Sequence, residues 1–205
     1  MNLFRTLVIV LLSFESICWS ADLLVPAEYS TIQAAIEAAN QNGDRVLVSP
    51  GIYQSETQGQ INLLGKSVIV ESVAGRLVTV LDGIQLRVTT GEPLNCEVVG
   101  FTFRNTGSLA EITGSSLKVR DCKISNNSTE IFRLTDAHVR FTDCDFVNND
   151  CNYVIYGLRS LVEIQGCTFG SNFFRAEMTK VANSTLKIEN SSMINNVCDT
   201  QEPVL

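Results

Sequence analysis

The chain of 205 residues is 45% hydrophobic and 18% charged, which is the composition of a folded globular protein and excludes a disordered chain. Its 22 acidic residues outnumber its 15 lysines and arginines, for a formal net charge of -7. Nucleic acids and anionic membrane surfaces bind clustered cations, so this charge argues against both classes of partner. The length predicts a single domain.

Residues 1–20 have the pattern of a secretory signal peptide. Arg5 precedes an apolar run over 7–14, and a small residue, Ser20, stands just before Ala21. The run is shorter than the ~20 residues that span a bilayer, and no later segment is apolar enough to do so. We therefore predict cleavage after Ser20, no transmembrane anchor, and a secreted, extracellular protein, or a periplasmic one in a bacterium.

Residues 21–45 predict a strand followed by a short amphipathic helix. In the segment STIQAAIEAAN, Ser30 and Gln33 have the spacing of a capping box, and Asn42–Gly43 is a helix stop signal. One helical face collects the apolar side chains of Ile32, Ala35, Ile36 and Ala39. Terminal caps of this kind cover the open core of repeat proteins, and a repeat follows in this chain.

Residues 46–198 contain an irregular repeat. Five segments align with steps of 21, 22, 23 and 24 residues, namely CEVVGFTFRN, LKVRDCKISNN, VRFTDCDFVNN, VEIQGCTFGSN and LKIENSSMINN. Their reference position is held by Phe101, Cys122, Cys144, Cys167 and Ser191. Apolar side chains recur five and three residues before it and two residues after it. Alternation within each run indicates strands, and the interval between runs indicates a bend that turns both strands toward one interior.

A unit of this length cannot bury its own apolar face, whereas a stack of units forms a continuous core. The predicted fold is therefore an all-β parallel β-helix, a solenoid of about seven coils over residues 46–198, followed by a tail at 199–205. The earlier coils are less regular, and Val46 matches Val68 at a step of 22 residues. The units lack the helix or the leucine consensus of a leucine-rich repeat.

Asparagines and cysteines recur at fixed places in the units. Because Asn tolerates the left-handed conformation and can bond to the Asn of the next coil, a ladder of turns is predicted for Asn105, Asn126, Asn127, Asn148, Asn149, Asn172, Asn195 and Asn196. The cysteines after the signal peptide are predicted to be mainly core thiols and not a disulfide framework. Cys151 and Cys198 share a register two coils apart, beyond the reach of a disulfide unless the loops bend, and other pairings stay open.

Residues 25–56 resemble the opening of right-handed parallel β-helix proteins of the pectin lyase-like superfamily. TIQAAI over residues 31–36 matches the helix that caps the barrel there, and residues 44–53 match the D-x-V-x-V-x-P-G-x-Y segment of the first coil. The later units also resemble the FxxN repeats of polymorphic outer-membrane proteins, which are surface adhesins. The resemblance implies a right-handed β-helix, a fold shared by lyases, hydrolases, esterases and adhesins.

Acidic residues on the outward face are candidates for catalysis and for binding Ca²⁺. An activity similar to that of pectate lyases needs acidic Ca²⁺ ligands beside a base, and a glycoside hydrolase needs two carboxyl groups about 5–10 Å apart. Asp121, Asp143 and Asp145 are the candidate Ca²⁺ ligands and catalytic acids, with Arg120 and Arg140 as basic partners. The same groups can instead be solvated charges that offset one another. No other cofactor is expected.

Two further signals for catalysis are weak. Gly51, Tyr53 and Glu56 repeat, with one extra residue, the Gly-x-Tyr-x-Glu segment of pectin methylesterases, whose later motifs are absent from this sequence. His138 is the single histidine, and no Asp, Ser or Cys stands at a spacing from it that would indicate a catalytic partner. It is therefore interpreted as a surface or turn residue.

Outward-facing Lys118, Arg120, Arg140 and Gln165 are the candidate ligand contacts. Their rows form a long ridged polar face that fits an extended polysaccharide. The sequence therefore favours a non-catalytic module that binds a polysaccharide or a surface glycan. The alternatives are a polysaccharide lyase or glycoside hydrolase, and a structural repeat without a ligand. No cap follows Cys198 in the repeat pattern, which predicts self-association through the C-terminal end.

Overall fold

The computed structural model of the protein describes residues 20–40 and 43–199, and its chain winds through three parallel sheets in turn. The first sheet consists of Asp22–Val25, Arg45–Val48, Ile69–Ser72, Glu97–Val99, Ser116–Arg120, His138–Thr142, Leu161–Gln165 and Thr185–Glu189. The second consists of Gly51–Gln54, Thr79–Asp82, Thr102–Arg104, Lys123–Ser125, Asp145–Val147, Thr168–Gly170 and Ser192–Ile194. The third consists of Ile61–Asn62, Leu86–Val88, Ala110–Thr113, Ser128–Thr135, Asp150–Leu158, Phe173–Phe174, Thr179–Ala182 and Val197–Cys198. The helices are Ile32–Ala38 and the single turn Ser55–Gln58.

The predicted parallel β-helix is confirmed, with about eight turns where about seven were expected. The first sheet has eight strands because Asp22–Val25 pairs with Arg45–Val48 and adds a rung ahead of the helix. The predicted inward rows pair in register from coil to coil. They are Val98, Val119, Phe141, Ile164 and Ile188 in the first sheet, and Phe103, Ile124, Phe146, Phe169 and Met193 in the second.

One predicted register is wrong. Val46 pairs with Val70 and not with Val68, so this coil is two residues longer than the sequence match indicated. The single-turn helix Ser55–Gln58 lies within this coil. Because side chains alternate with a period of two, a shift of two residues leaves the same face of the strand inward. Val68 is buried as well, just ahead of its strand.

Phenylalanine side chains fill the middle of the core. The rings of Phe146 and Phe169, on adjacent coils, are stacked with their centroids 4.7 Å apart. Phe141 packs edge-on against Phe146 at 5.5 Å and against Phe132 at 4.7 Å. Burying one such side chain contributes about 1.5–3 kcal/mol. The rows thus join neighbouring coils into one continuous core.

The predicted asparagine ladder is confirmed, and its asparagines have two different roles. Asn126 and Asn148 hold the left-handed conformation, with φ of 55° and 57°. The residue after each is buried, and Oδ1 of Asn149 accepts hydrogen bonds from the backbone N–H and the Nδ2 of Asn127, at 3.0 and 3.1 Å. Asn172 bonds to Asn149 in the same way. The first asparagine therefore turns the chain, and the second satisfies the buried backbone of the coil before it.

The predicted N-terminal helix is confirmed as Ile32–Ala38, but its predicted capping box is wrong. Thr31, and not Ser30, is the N-cap, because its backbone is extended and its Oγ1 accepts a hydrogen bond from the N–H of Ala34 at 3.0 Å. Oε1 of Gln33 instead accepts from the backbone N–H of Asn62. The predicted apolar face, Ile32, Ala35, Ile36 and Ala39, is buried.

Lys66 fixes the other end of this helix. Its ammonium donates to the backbone carbonyls of Ile36, Glu37 and Ala39 at 2.7–2.8 Å. The helix ends at Ala38, before the predicted Asn42–Gly43 stop, of which Asn42 lies outside the described residues. A cation at the last carbonyls of a helix interacts favourably with the helix dipole.

The cysteines of the described residues are free thiols. Cys96, Cys122, Cys144, Cys151 and Cys167 are buried, as predicted for core residues, whereas Cys198 is exposed. Phe174 pairs with Cys151 on one side and with Cys198 on the other, which confirms the register predicted for these two cysteines. Desolvation raises the pKa of the Cys122 thiol to about 12, so this side chain is a neutral hydrophobe in the core.

The predicted signal peptide falls almost wholly on residues 1–19, which lie outside the described residues, as does most of the predicted tail. Within residues 20–40 and 43–199, no helix has both the length and the apolar character required to cross a membrane.

Candidate functional site

The outer face of the first sheet carries the predicted polar rows. Lys118, Arg140, Glu163 and Lys187 follow one another in register on successive strands, and Arg120, Thr142, Gln165 and Glu189 form the second row. Both rows exist because strands of five residues in parallel register place every second side chain outward at the same height. The four predicted ligand contacts therefore lie on one face.

Glu163 is the centre of a charged cluster on this face. Its Oε2 accepts hydrogen bonds from Nε and Nη2 of Arg140 at 3.0 and 2.7 Å, and lies 3.0 Å from Nε2 of His138. Nζ of Lys187, on the following coil, lies 3.7 Å from Oε1. The hydrogen bonds from His138 and Arg140 lower the pKa of Glu163 to about 2. His138, interpreted from the sequence as a surface or turn residue, thus lies on this strand face beside a carboxylate.

A shallow groove lies over this cluster. Its volume is about 280 Å³, and it is lined by Arg140, Glu163, Ile164, Gln165, Lys187 and Glu189. It brings together two of the predicted contacts, Arg140 and Gln165. Arg120 lies one coil earlier and donates from Nε to Oε1 of Glu97 at 2.8 Å.

The three predicted aspartates surround an arginine that the sequence analysis did not single out. Nη1 of Arg76 lies 3.4 Å from Oδ1 of Asp121 and donates to the backbone carbonyl of Asp143 at 2.9 Å. Its Nη2 lies 3.1 Å from Oδ2 of Asp145. Arg120 and Arg140, the predicted basic partners, instead form ion pairs with Glu97 and Glu163. The repeat pattern of the sequence does not indicate a role for Arg76, because this residue lies in an irregular connection between two strands.

This arrangement determines what the aspartates can do. Asp121 and Asp143 occupy left-handed turn positions, with φ of 50° and 53°, one coil apart as predicted. The Arg76 guanidinium holds the place between carboxylates that a Ca²⁺ ion would need, so a metal could enter only by displacing it. Within the described residues, no three or more His, Cys, Asp or Glu side chains are grouped to hold a metal ion.

The segment that resembles the Gly-x-Tyr-x-Glu motif of pectin methylesterases contributes a side chain to the core. Tyr53 is buried, pairs with Leu81 on the next coil, and donates from its hydroxyl to the backbone carbonyl of Ser49 at 2.9 Å. Gly51 begins the same strand, whereas Glu56 is exposed in the single-turn helix that follows. Tyr53 and Glu56 therefore lie in different environments.

A second polar face, on the third sheet, was missed from the sequence. Thr129 pairs with Cys151 but Glu130 pairs with Tyr153, so Asn152 is the extra residue of a β-bulge. Beyond the bulge, two consecutive buried residues, Val154 and Ile155, break the alternation of two that the sequence predicts and place Tyr153 and Tyr156 on one face. The consecutive buried pair Val154–Ile155, which parallels Ile131–Phe132 one coil earlier, is the signal that could have revealed it.

Comparison with known proteins finds no matching family model and no matching curated protein. Two solved structures of the pectin methylesterase from Aspergillus niger, in deglycosylated and in penultimately deglycosylated form, are similar to this chain. Each is 12% identical in sequence, and each alignment covers 90% of this chain and 87% of the other, with TM-scores of 0.38 and 0.37. The chain is a β-solenoid with a distant structural similarity to a pectin methylesterase.

Proposed function

We propose that the protein is an exported, non-catalytic β-helix module that binds an extracellular polysaccharide or surface glycan through the outer face of its first sheet. The observation that carries the proposal is the groove in which Arg140, Gln165 and Lys187 lie side by side on successive coils. Arg140 and Lys187 belong to one outward row and Gln165 to the row beside it, and within each row successive positions are about 4.8 Å apart, the distance between adjacent strands. A periodic row of donors and acceptors matches a polymer that repeats its hydroxyl groups.

The ion pairs of the groove support binding. Arg140 is held in place by Glu163, so less side-chain freedom is lost when a ligand binds than for an unrestrained arginine. Gln165 adds an amide that can both donate and accept hydrogen bonds. The groove is thus arranged before any ligand arrives.

The same electrostatics argue against Glu163 as the general acid of a glycosidase. A glycosidase acid must hold its proton near neutral pH, which requires a raised pKa. The hydrogen bonds from His138 and Arg140 lower the pKa of Glu163 to about 2, so its carboxyl group is ionised. Glu163 can therefore offer a fixed negative charge and hydrogen-bond acceptors, but not a proton.

Affinity electrophoresis through gels containing soluble polysaccharides tests the proposal. We expect retardation by at least one polymer, and a loss of apparent affinity of about tenfold or more in the double variant Arg140→Ala/Gln165→Ala. Arg159→Ala is the matched control, since Arg159 also forms an inter-coil ion pair, with Asp136 at 2.7 Å, but lies outside the groove.

Two results would contradict the proposal. The first is equal retardation of the wild type and the double variant by every polymer that binds. The second is the release of unsaturated products or new reducing ends from a polymer, since that identifies a lyase or a hydrolase. Circular dichroism of each variant establishes that its fold is retained.

A further inference from the structure

The outer face of the third sheet carries a pair of tyrosines. Val154 and Ile155 are both buried, so Tyr153 and Tyr156, three residues apart on either side of them, project from the same face. Their ring centroids lie 5.8 Å apart with the planes tilted by 52°. The two consecutive buried residues thus create an aromatic surface on the outside of this sheet.

Charges of both signs surround the tyrosines. Glu130 and Arg133, which pair in register with Tyr153 and Tyr156, form an ion pair with each other at 3.1 Å. On the other side, Nζ of Lys180 lies 5.6 Å from the centroid of the Tyr153 ring. Arg133 is thus paired with a carboxylate, whereas Lys180 contacts an aromatic face that attracts it without neutralising its charge.

A polar groove adjoins the tyrosines on the N-terminal side. It has a volume of about 290 Å³, and its lining includes Gln60, Gln85, Ser108, Thr129, Glu130 and Arg133. Because Glu130 and Arg133 belong to the groove and also neighbour the tyrosines, the two features form one continuous strip. The strip crosses five successive coils, or roughly 19 Å at about 4.8 Å per coil.

We propose that this strip is a second carbohydrate-binding site, for a neutral oligosaccharide that lies along the solenoid axis. The C–H-bearing face of a sugar ring is apolar and packs on the rings of Tyr153 and Tyr156, and the amides and hydroxyls of the groove bond to its hydroxyl groups. The site rests on the proposed function only for the class of ligand, since it lies on a different sheet.

Isothermal titration calorimetry with hexasaccharides tests this site. The probes are cellohexaose, xylohexaose and mannohexaose, with hexagalacturonate as the acidic comparison. We expect at least one neutral hexasaccharide to bind, with an affinity about tenfold or more lower in Tyr153→Ala/Tyr156→Ala. The affinity should be retained in Tyr153→Phe/Tyr156→Phe and in the first-sheet variant Arg140→Ala/Gln165→Ala.

A second measurement uses only the wild type, so its result does not depend on whether the alanine variant folds. A bound neutral hexasaccharide should protect Tyr153 and Tyr156 from nitration by tetranitromethane, read out by peptide mass spectrometry. Tyr29, which lies near the N-terminal helix, should be nitrated equally with and without the probe.

The outcomes separate the two proposals. If binding is lost in the first-sheet variant and unchanged in the tyrosine variant, the proposed function stands and the third-sheet site is wrong. If none of the neutral probes binds or protects the tyrosines, the third-sheet site is wrong, whatever the polysaccharide gels show for the first sheet.

Discussion

Glu163 shows how a single side chain can join three coils of this solenoid. Its partners come from the preceding strand, His138 and Arg140, and from the following one, Lys187. The carboxylate is only 21% exposed, so its interactions are less screened than those of a fully solvated pair. A group whose pKa is lower in the folded chain stabilises the fold above its unfolded pKa, and that stabilisation is lost as pH falls toward the folded value.

We therefore predict a pH-dependent effect of Glu163→Gln. At pH 7 the variant should be less stable by about 1 kcal/mol, because the charge is removed while the shape is kept. The difference should shrink as pH falls from 4.5 toward about 2, the folded pKa of Glu163. Urea unfolding at a series of pH values measures it. Glu56→Gln, in the exposed single-turn helix, serves as control, and an equal pH dependence of both variants would contradict the prediction.

At the scale of elements, the N-terminal helix depends on contacts with the first coils as well as on its own sequence. With seven residues it is too short to be stable alone in water. Its buried side chains pack on the core, Thr31 caps one end, and Lys66, from another coil, bonds to the carbonyls at the other end. The helix is thus held in place at both of its ends.

Removing the hydrogen bonds at the C-terminal end of this helix should destabilise the helix without affecting the later coils. In Lys66→Met the carbonyls of Ile36, Glu37 and Ala39 lose their donor, and we expect about 1–2 kcal/mol of local destabilisation. Hydrogen exchange read by mass spectrometry should show faster exchange over residues 32–38. Exchange in the coils after residue 96 should not change. Lys123→Met is the control, and uniform acceleration along the chain would show that the effect is global.

For the whole molecule, the two ends of the stack differ. The helix covers the N-terminal end, whereas in the last described coil Met193 and Val197 are each 55% exposed. Phe169, which pairs with Met193 from the coil before, is fully buried. The strand Thr185–Glu189 also forms an edge of the first sheet with unpaired backbone groups among the described residues.

Self-association through this end is the prediction that follows. Because the helix covers the core at the N-terminal end, we expect copies to meet at their C-terminal ends and association to stop at dimers. Sedimentation velocity should show a concentration-dependent shift from monomer to dimer. Met193→Lys should abolish that shift, whereas Ile52→Lys, an exposed residue toward the other end, should not. A strictly monomeric wild type up to high concentration would refute the prediction.

The sequence by itself determined the repeat, because burial in a solenoid imposes the same alternation on every coil. It predicted the inward rows, the asparagine ladder, the buried cysteines and the apolar face of the helix. Although Val46 was matched to the wrong valine, Val68, the inward face of the strand was still predicted correctly, since a shift of two residues preserves the face of a strand. Local patterns therefore sufficed wherever every coil repeats the same environment.

Only the tertiary structure decided the contacts that break the repeat. Arg76 reaches Asp121 and Asp145 from an irregular connection, and no spacing in the sequence indicates that approach. Val154 and Ile155 are both buried, so Tyr153 and Tyr156 lie on one face, where simple alternation would separate them. Glu163 acquires its low pKa from two partners on the preceding coil, His138 and Arg140. These features depend on which side chains meet across the stack, and that is set by the length and path of each connection.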